Sequence, residues 1–272
     1  MSGRLNVEGR VSVILAVYNG KPYVFDAIQS ILDQTYKDIE LIIVDDGSTD
    51  YTMRDISDKY NLCSLDIPFR IYNTNGPNYF TPMGGLWPYI VGAGNSTGEF
   101  LSFHSQDDLS HPDRFKKLVG AIGNKTLVCS NVRHIKPTGN TIKISGCDMS
   151  EPLLGAVATD DEYLPHIIFS SSMFRNDQFF KRQCYLIGQY DYEKMLGVNL
   201  LDKDGVGYVP EELYMYREHQ NQASLLGSKW GVIAKSYGYE QGDLNGPEGG
   251  KYCYGYLTNR EMKKIARERI GI

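Results

Sequence analysis

Residues 11–17 read VSVILAV, an almost unbroken run of β-branched and aliphatic side chains that stops at Tyr18-Asn19-Gly20. A strand with one wet face alternates apolar with polar residues, so a continuous run predicts a strand covered on both faces. Residues 22–34 follow, with Val24, Ala27, Ile28, Ile31 and Leu32 at three- and four-residue steps. That spacing predicts an amphipathic helix, and Pro22 stands near its start, where a missing N–H costs little. A second buried run, residues 41–44 (LIIV), leads straight into Asp45-Asp46-Gly47-Ser48-Thr49-Asp50. Strand, helix and strand in close succession predict a parallel pair with a right-handed crossover, the unit of an α/β sheet.

In open sheets of this kind, ligands bind beyond the carboxyl ends of the strands. Tyr18-Asn19-Gly20 and Asp45-Asp46 both stand at such ends. A third strand, residues 99–104, delivers Ser105-Gln106-Asp107-Asp108 in the same way. Further along, helices are expected over residues 51–60, 114–122, 173–184 and 191–202. Strands are expected over residues 69–72 and 127–134, and extended chain over 206–209 and 212–216. Residues 73–88 (NTNGPNYFTPMGGLWP) are dense in Gly, Pro and Asn and predict a long loop. Residues 136–165 show the least pattern and are read as an insertion-like loop with short elements. Thr258-Asn259-Arg260-Glu261 forms a capping box ahead of Met262, Ile265, Ala266 and Ile270 on one helical face.

Composition narrows the classes of function. With 272 residues, 42% of them hydrophobic and 22% charged, the chain can build one large core or two small ones without a covalent staple. A formal net charge of −5 argues against a broad polyanion-binding face, so nucleic acid is not an expected partner. Five cysteines, with no Cys-x-x-Cys pair, fit neither a disulfide framework nor a structural zinc site and are read as reduced thiols. The first ten residues lack a secretory apolar stretch and no window is long enough for a membrane span, so a cytoplasmic location is expected. No phosphate-binding Gly-x-x-x-x-Gly-Lys loop, dinucleotide Gly-x-Gly-x-x-Gly, paired-histidine zinc motif or Gly-x-Ser-x-Gly elbow occurs. The 20 tyrosines offer flat faces with polar tips, which suit sugar or nucleobase contacts as well as cores and interfaces.

The acidic pairs carry the chemistry. Adjacent carboxylates aimed into a cleft repel one another unless a cation lies between them. Mg²⁺ or Mn²⁺ suits the position, because such an ion takes one or two carboxylates and completes its shell with water and diphosphate oxygens. Asp45-Asp46-Gly47-Ser48 has a second reading as a turn, with Gly supplying positive φ.

VSVILAVYNG, the helix carrying Ser30-Ile31-Leu32-Asp33-Gln34-Thr35-Tyr36, and ELIIVDDGSTD together resemble the N-terminal half of the GT-A nucleotide-sugar transferases, family two. Gly98-Glu99-Phe100 leading to Gln106-Asp107-Asp108 and Pro112-Asp113-Arg114 is similar to that family's metal-binding Asp-x-Asp motif and the helix after it. Residues 209–219 (VPEELYMYREH) resemble its closing Tyr-Arg-x-His. The resemblance implies a GT-A, Rossmann-like fold: an α/β chain with a mixed, mostly parallel sheet flanked by helices. Residues 1–227 would form the transferase domain and 228–272 a C-terminal helical and loop extension. That extension would cover the acceptor cleft, mediate self-association into a homo-oligomer, or lie as a surface appendage.

Residue by residue, the resemblance implies that Val17, Tyr18 and Asp46 hold the nucleotide base, with Asp45 supporting their loop. Asp107 would face the ribose or a metal-bound water, Asp108 would ligate the metal, and His219 would be a further metal or phosphate contact. Asp191 lies where the family places its catalytic base, with Glu193 as rival because Tyr190 replaces the usual acidic neighbour. Tyr89-Ile90-Val91-Gly92 stands where Arg-Asn-x-Gly is common. The implied function is an inverting, metal-dependent transfer of a hexosyl or pentosyl group from a nucleotide diphosphate sugar, a UDP-sugar above others, to a hydroxyl of a glycan or other acceptor. Two alternatives use the same features: a nucleotidyltransferase acting on a sugar phosphate, and a receiver-like or nucleotide-binding module with Mg²⁺ at Asp45-Asp46.

Overall fold

A computed structural model describes residues 6–60, 65–74, 76, 87–145, 169–177 and 206–221. β1 (Val7–Val17), α1 (Val24–Leu32) and β2 (Ile39–Asp45) form the expected opening unit, followed by α2 (Thr52–Lys59) and β3 (Phe69–Asn73). α3 (Trp87–Gly94), β4 (Gly98–Ser105), the two-residue β5 (Leu109–Ser110) and α4 (Arg114–Ile122) come next. β6 (Leu127–Ile135), β7 (Thr141–Ser145), a 3₁₀ turn at Phe169–Ser171, β8 (Met173–Arg175) and β9 (Val206–Arg217) complete the described chain. The sheet runs β3-β2-β1-β4-β8-β6-β9-β5, with β7 paired to β6 outside that path. Its β3-β2-β1-β4 half is wholly parallel, whereas β8 is antiparallel to both of its neighbours.

The apolar runs are continuous because each face of this sheet packs on helices. Val11, Val13, Leu15, Leu41 and Ile43 meet Val24, Ala27, Ile28 and Ile31 of α1 and Phe115, Leu118 and Ile122 of α4. Ile14, Ile42, Val44, Leu101 and Phe103 point the other way, onto Ala93 of α3. The period-two alternation of a strand therefore sorts one unbroken run into two cores. α3 lies so near β1 that a Cβ on Gly92 would stand 2.3 Å from the Ile14 side chain, which only glycine tolerates.

Four expectations change in the structure. Residues 173–175, read as helix, form β8, because Phe174 pairs with Leu101 on one side and Leu127 on the other. Neighbouring strands, not local propensity, decide so short an element. The loop expected over residues 136–165, with short elements left unplaced, holds a definite strand at 141–145, β7, the second strand of a hairpin with β6. Trp87 and Pro88, read as loop, open α3, where Pro in the first turn is tolerated. The two extended pieces near residue 210 are one strand, interrupted where the register with β6 jumps from Ser130–Val209 to Asn131–Glu212. Pro210 falls in that irregularity, consistent with its missing N–H. The helices expected over 191–202 and near the C-terminus, and the division at residue 228, lie outside the described residues. Cys129 is buried, and its thiol donates to the Gly207 carbonyl at 3.6 Å. Among the described residues no helix is long and apolar enough to cross a membrane.

Candidate active site

The parallel register places the ends of β1, β2 and β4 side by side: Val17 pairs with Asp45, and Ala16 with Ser105. The loops leaving these three strands then tie to one another. The Val17 carbonyl accepts the Asp46 N–H at 2.7 Å. The Gln106 amide lies along Tyr18, accepting its backbone N–H at 2.8 Å and donating to its carbonyl at 3.0 Å. Gln106 thereby prolongs the β1–β4 pairing by one side chain. Asn19, at φ 49°, takes the left-handed conformation that Asn tolerates best among residues with a Cβ. Its side-chain oxygen accepts the backbone N–H groups of Thr49 and Asp50 at 2.8 and 3.2 Å.

The first acidic pair divides its work. Asp45 accepts the Ser48 N–H at 2.9 Å with one oxygen and the Asn73 amide at 2.8 Å with the other, so it closes its own loop. Asp46 is also buried, and one of its oxygens accepts the Thr74 hydroxyl at 2.6 Å.

The second pair divides as well. Asp108 is buried; its Oδ2 accepts the Tyr214 hydroxyl and its Oδ1 the Arg217 backbone N–H, both at 2.8 Å. Loss of water pushes its carboxyl up to about 7, against the pull of those two donors. Asp107 turns the other way, toward His219, whose Nε2 stands 3.5 Å from Asp107 Oδ2. Burial also raises the Asp107 carboxyl, while His219 and Arg217 oppose that rise. Among the described residues no group of three or more His, Cys, Asp or Glu side chains has the arrangement of a metal cage.

Behind Asp108 lies a dry polar chain. Arg114, fully buried, donates to the hydroxyls of Ser110 and Ser102, each at 2.9 Å, and its guanidinium lies 4.8 Å over the Tyr214 ring. The Ser110 hydroxyl lies 3.1 Å from His104 Nε2, and His104 Nδ1 lies 2.7 Å from the Ser105 carbonyl. A carbonyl partner requires Nδ1 to carry the proton, so Nε2 accepts from Ser110. Burial, reinforced by the charge of Arg114, lowers the His104 pKa to about 3.

Of the residues singled out by sequence, Val17, Tyr18, Asp46, Asp107, Asp108 and His219 all belong to this rim or the wall behind it. Asp191 and its rival Glu193 lie outside the described residues. Sequence reasoning placed Gln106, Tyr214 and Arg217 only as parts of motifs and passed over Tyr23. The partners of Gln106, Tyr214 and Arg217 lie 80 to 191 residues away, beyond what local pattern carries.

The fold is that of the GT-A glycosyltransferases. The crystal structure of S. aureus TarS residues 1–349 in complex with UDP-GlcNAc superposes with a TM-score of 0.60, covering 96% of this chain and 71% of that one at 17% identity. Residues 12–180 match the Glycosyl transferase family 2 profile, and the chain belongs to that family. An uncharacterized glycosyltransferase of Haemophilus influenzae is 25% identical over 96% of this chain and 73% of its own length. Another, of Rickettsia felis, is 34% identical over 40% of this chain, which spans only 16% of that relative's length. Family membership sets aside the nucleotidyltransferase and receiver-like alternatives.

Proposed function

We propose that this protein is an inverting glycosyltransferase that moves a sugar from a nucleotide diphosphate sugar, a UDP-sugar, to a hydroxyl of a glycan or other acceptor. The observation that carries the reading is the convergence of the loops after β1, β2 and β4 on one rim, with Asp107 and His219 facing each other there. Asp46, with Val17 and Tyr18, is assigned to the base, as an acceptor for a ring N–H of uracil. The donor reading also draws on the structural neighbour that holds UDP-GlcNAc.

Asp107 and His219 are the pair we assign to Mn²⁺ or Mg²⁺. Asp108 is better suited to the wall, since both its oxygens already accept protein donors. A carboxylate and an imidazole 3.5 Å apart resemble two adjacent ligands of an octahedral ion, which at bonds of about 2.1 Å lie about 3 Å from each other. Diphosphate oxygens and water would complete the shell. When bound, such an ion neutralises the charge that gathers on the departing diphosphate.

The acceptor oxygen attacks the anomeric carbon as the bond from that carbon to the phosphate oxygen breaks, and the hydroxyl proton passes to a carboxylate. A base within about 3 Å contributes about 10²- to 10⁴-fold in rate. Asp191 is our assignment for it, with Glu193 the competitor. A single displacement from the opposite face gives inversion. Calorimetric titration of UDP with and without Mn²⁺ tests the reading: we expect UDP to bind more tightly with the ion. UDP binding that ignores Mn²⁺ overturns the metal assignment, and no UDP binding at all overturns the donor.

A further inference from the structure

A buried guanidinium stands behind the Asp107–His219 pair. Arg217 ends β9 with only 5% of its surface exposed, and its donors reach three separate segments. Nε donates to the Asp107 carbonyl at 2.9 Å, one terminal nitrogen to the Pro137 carbonyl in the β6–β7 turn at 2.9 Å, and the other to Asp26 Oδ2 on α1 at 3.2 Å. The central carbon of the guanidinium lies 4.5 Å from the Tyr23 ring centre, and that ring centre lies 4.8 Å from the centre of the His219 imidazole. The Arg217 backbone N–H holds Asp108. One residue thus grips the main chain of the Asp107 loop and, through Tyr23, backs the imidazole opposite.

We propose that Arg217 is a positioning residue that fixes Asp107 and His219 at the spacing a divalent cation needs; this rests on the reading that the pair holds the ion. The role requires arginine. A planar fork can donate in three directions while stacking on an aromatic face, whereas a lysine ammonium is a point donor that reaches one of the three acceptors at best. Groups that orient metal ligands without touching the metal change its affinity by about 10- to 100-fold when removed.

Mn²⁺ binding in the presence of UDP, followed by calorimetry and by the electron paramagnetic resonance of free Mn²⁺, tests the assignment in the full chain. Arg217→Lys is expected to weaken Mn²⁺ by about 10-fold or more. Its transfer rate should return toward the wild-type kcat at high Mn²⁺, so that the defect lies in the apparent KM for the ion. Added guanidinium should restore part of the affinity in Arg217→Ala. A folded Arg217→Lys protein with wild-type Mn²⁺ affinity overturns the inference and leaves the metal reading standing. Where neither Arg217 variant folds, Asp26→Ala decides, because it removes the acceptor of one terminal nitrogen of Arg217. Its side chain is 60% exposed, so the fold tolerates the change. Weaker Mn²⁺ binding there supports the positioning role, and unchanged binding overturns it. Wild-type protein that binds UDP but no Mn²⁺ overturns the metal reading and the inference together.

Discussion

The chain carries the same dipeptide, Asp-Asp, at the ends of two parallel strands, and the two copies are built differently. After β2, Asp45 bonds Ser48, three residues on, and Asn73 on the adjacent strand. After β4, Asp108 bonds Tyr214 and Arg217, 106 and 109 residues away in sequence. The first pair closes a loop with material near at hand; the second fastens one half of the sheet to the other. In the first pair the leading aspartate is the structural one, and in the second it is the trailing one. The dipeptide therefore does not say which carboxylate meets a ligand. The partners each carboxylate finds in the fold separate the two, and those of Asp108 come from β9.

On that difference, the largest effect comes from Asp108→Ala. It strands the Tyr214 hydroxyl and the Arg217 N–H without an acceptor in a dry interior. At roughly 1–3 kcal/mol per stranded donor, the loss of stability is about 2–6 kcal/mol, read as a fall in the urea midpoint. An unchanged midpoint would show that β9 is held by other means.

Asp107→Asn should do the reverse, sparing the fold and removing the activity. Burial already disfavours the charge on Asp107, so a neutral amide of the same shape leaves the urea midpoint of the metal-free protein level or slightly raised. Transfer should drop by about 10²-fold or more, the equivalent of the several kcal/mol that a metal's charge supplies. Loss of stability without loss of transfer would exchange the roles of the two aspartates.

The wall behind the second pair also makes that half of the sheet sensitive to pH. His104 titrates at about 3 when folded against 6.5 when unfolded. Between those values the unfolded chain binds a proton that the folded chain refuses, so stability falls as the pH drops from 6.5 toward 3, by a few kcal/mol at the limit. Asp108 works in the opposite sense: its folded pKa, about 7, exceeds the ordinary 3.8, so stability rises as the pH falls through that window. In metal-free protein the two oppose each other. His104→Gln removes the His104 loss, and urea unfolding between pH 7 and 4 should show the variant gaining stability relative to wild type as acid is added. Parallel pH profiles would mean that His104 is not held neutral.

The same contrast explains what the sequence made legible. β1, α1, β2 and α4 could be read because each carries its own period: continuous apolar runs where both faces are covered, and three- and four-residue steps along the helices. The rim of the site followed from those elements, since polar clusters at strand ends are a local feature. β8 could not be read, because three residues hold no period and Phe174 is extended only through Leu101 and Leu127 on either side. The orientation of Asp107 against Asp108 was hidden for the same reason, being fixed by Tyr214 and Arg217 from a strand a hundred residues downstream. Arg217 stood in a quoted motif, yet nothing in Tyr-Arg-x-His says that its guanidinium returns to the Asp107 carbonyl.

The mildest test falls on the first pair. Asp45→Asn keeps one oxygen to accept the Ser48 N–H and turns an NH₂ toward Asn73, whose own amide can flip to present its oxygen. Both contacts survive with relabelled donors, and what is lost is the added strength of a charged acceptor, about 1 kcal/mol. UDP affinity should change little, because the loop that carries Asp46 keeps its closure. A loss approaching that of Asp108→Ala would mean that the first loop, too, depends on the Asp45 charge in a way its hydrogen bonds do not explain, and the two pairs would then differ only in the reach of their partners.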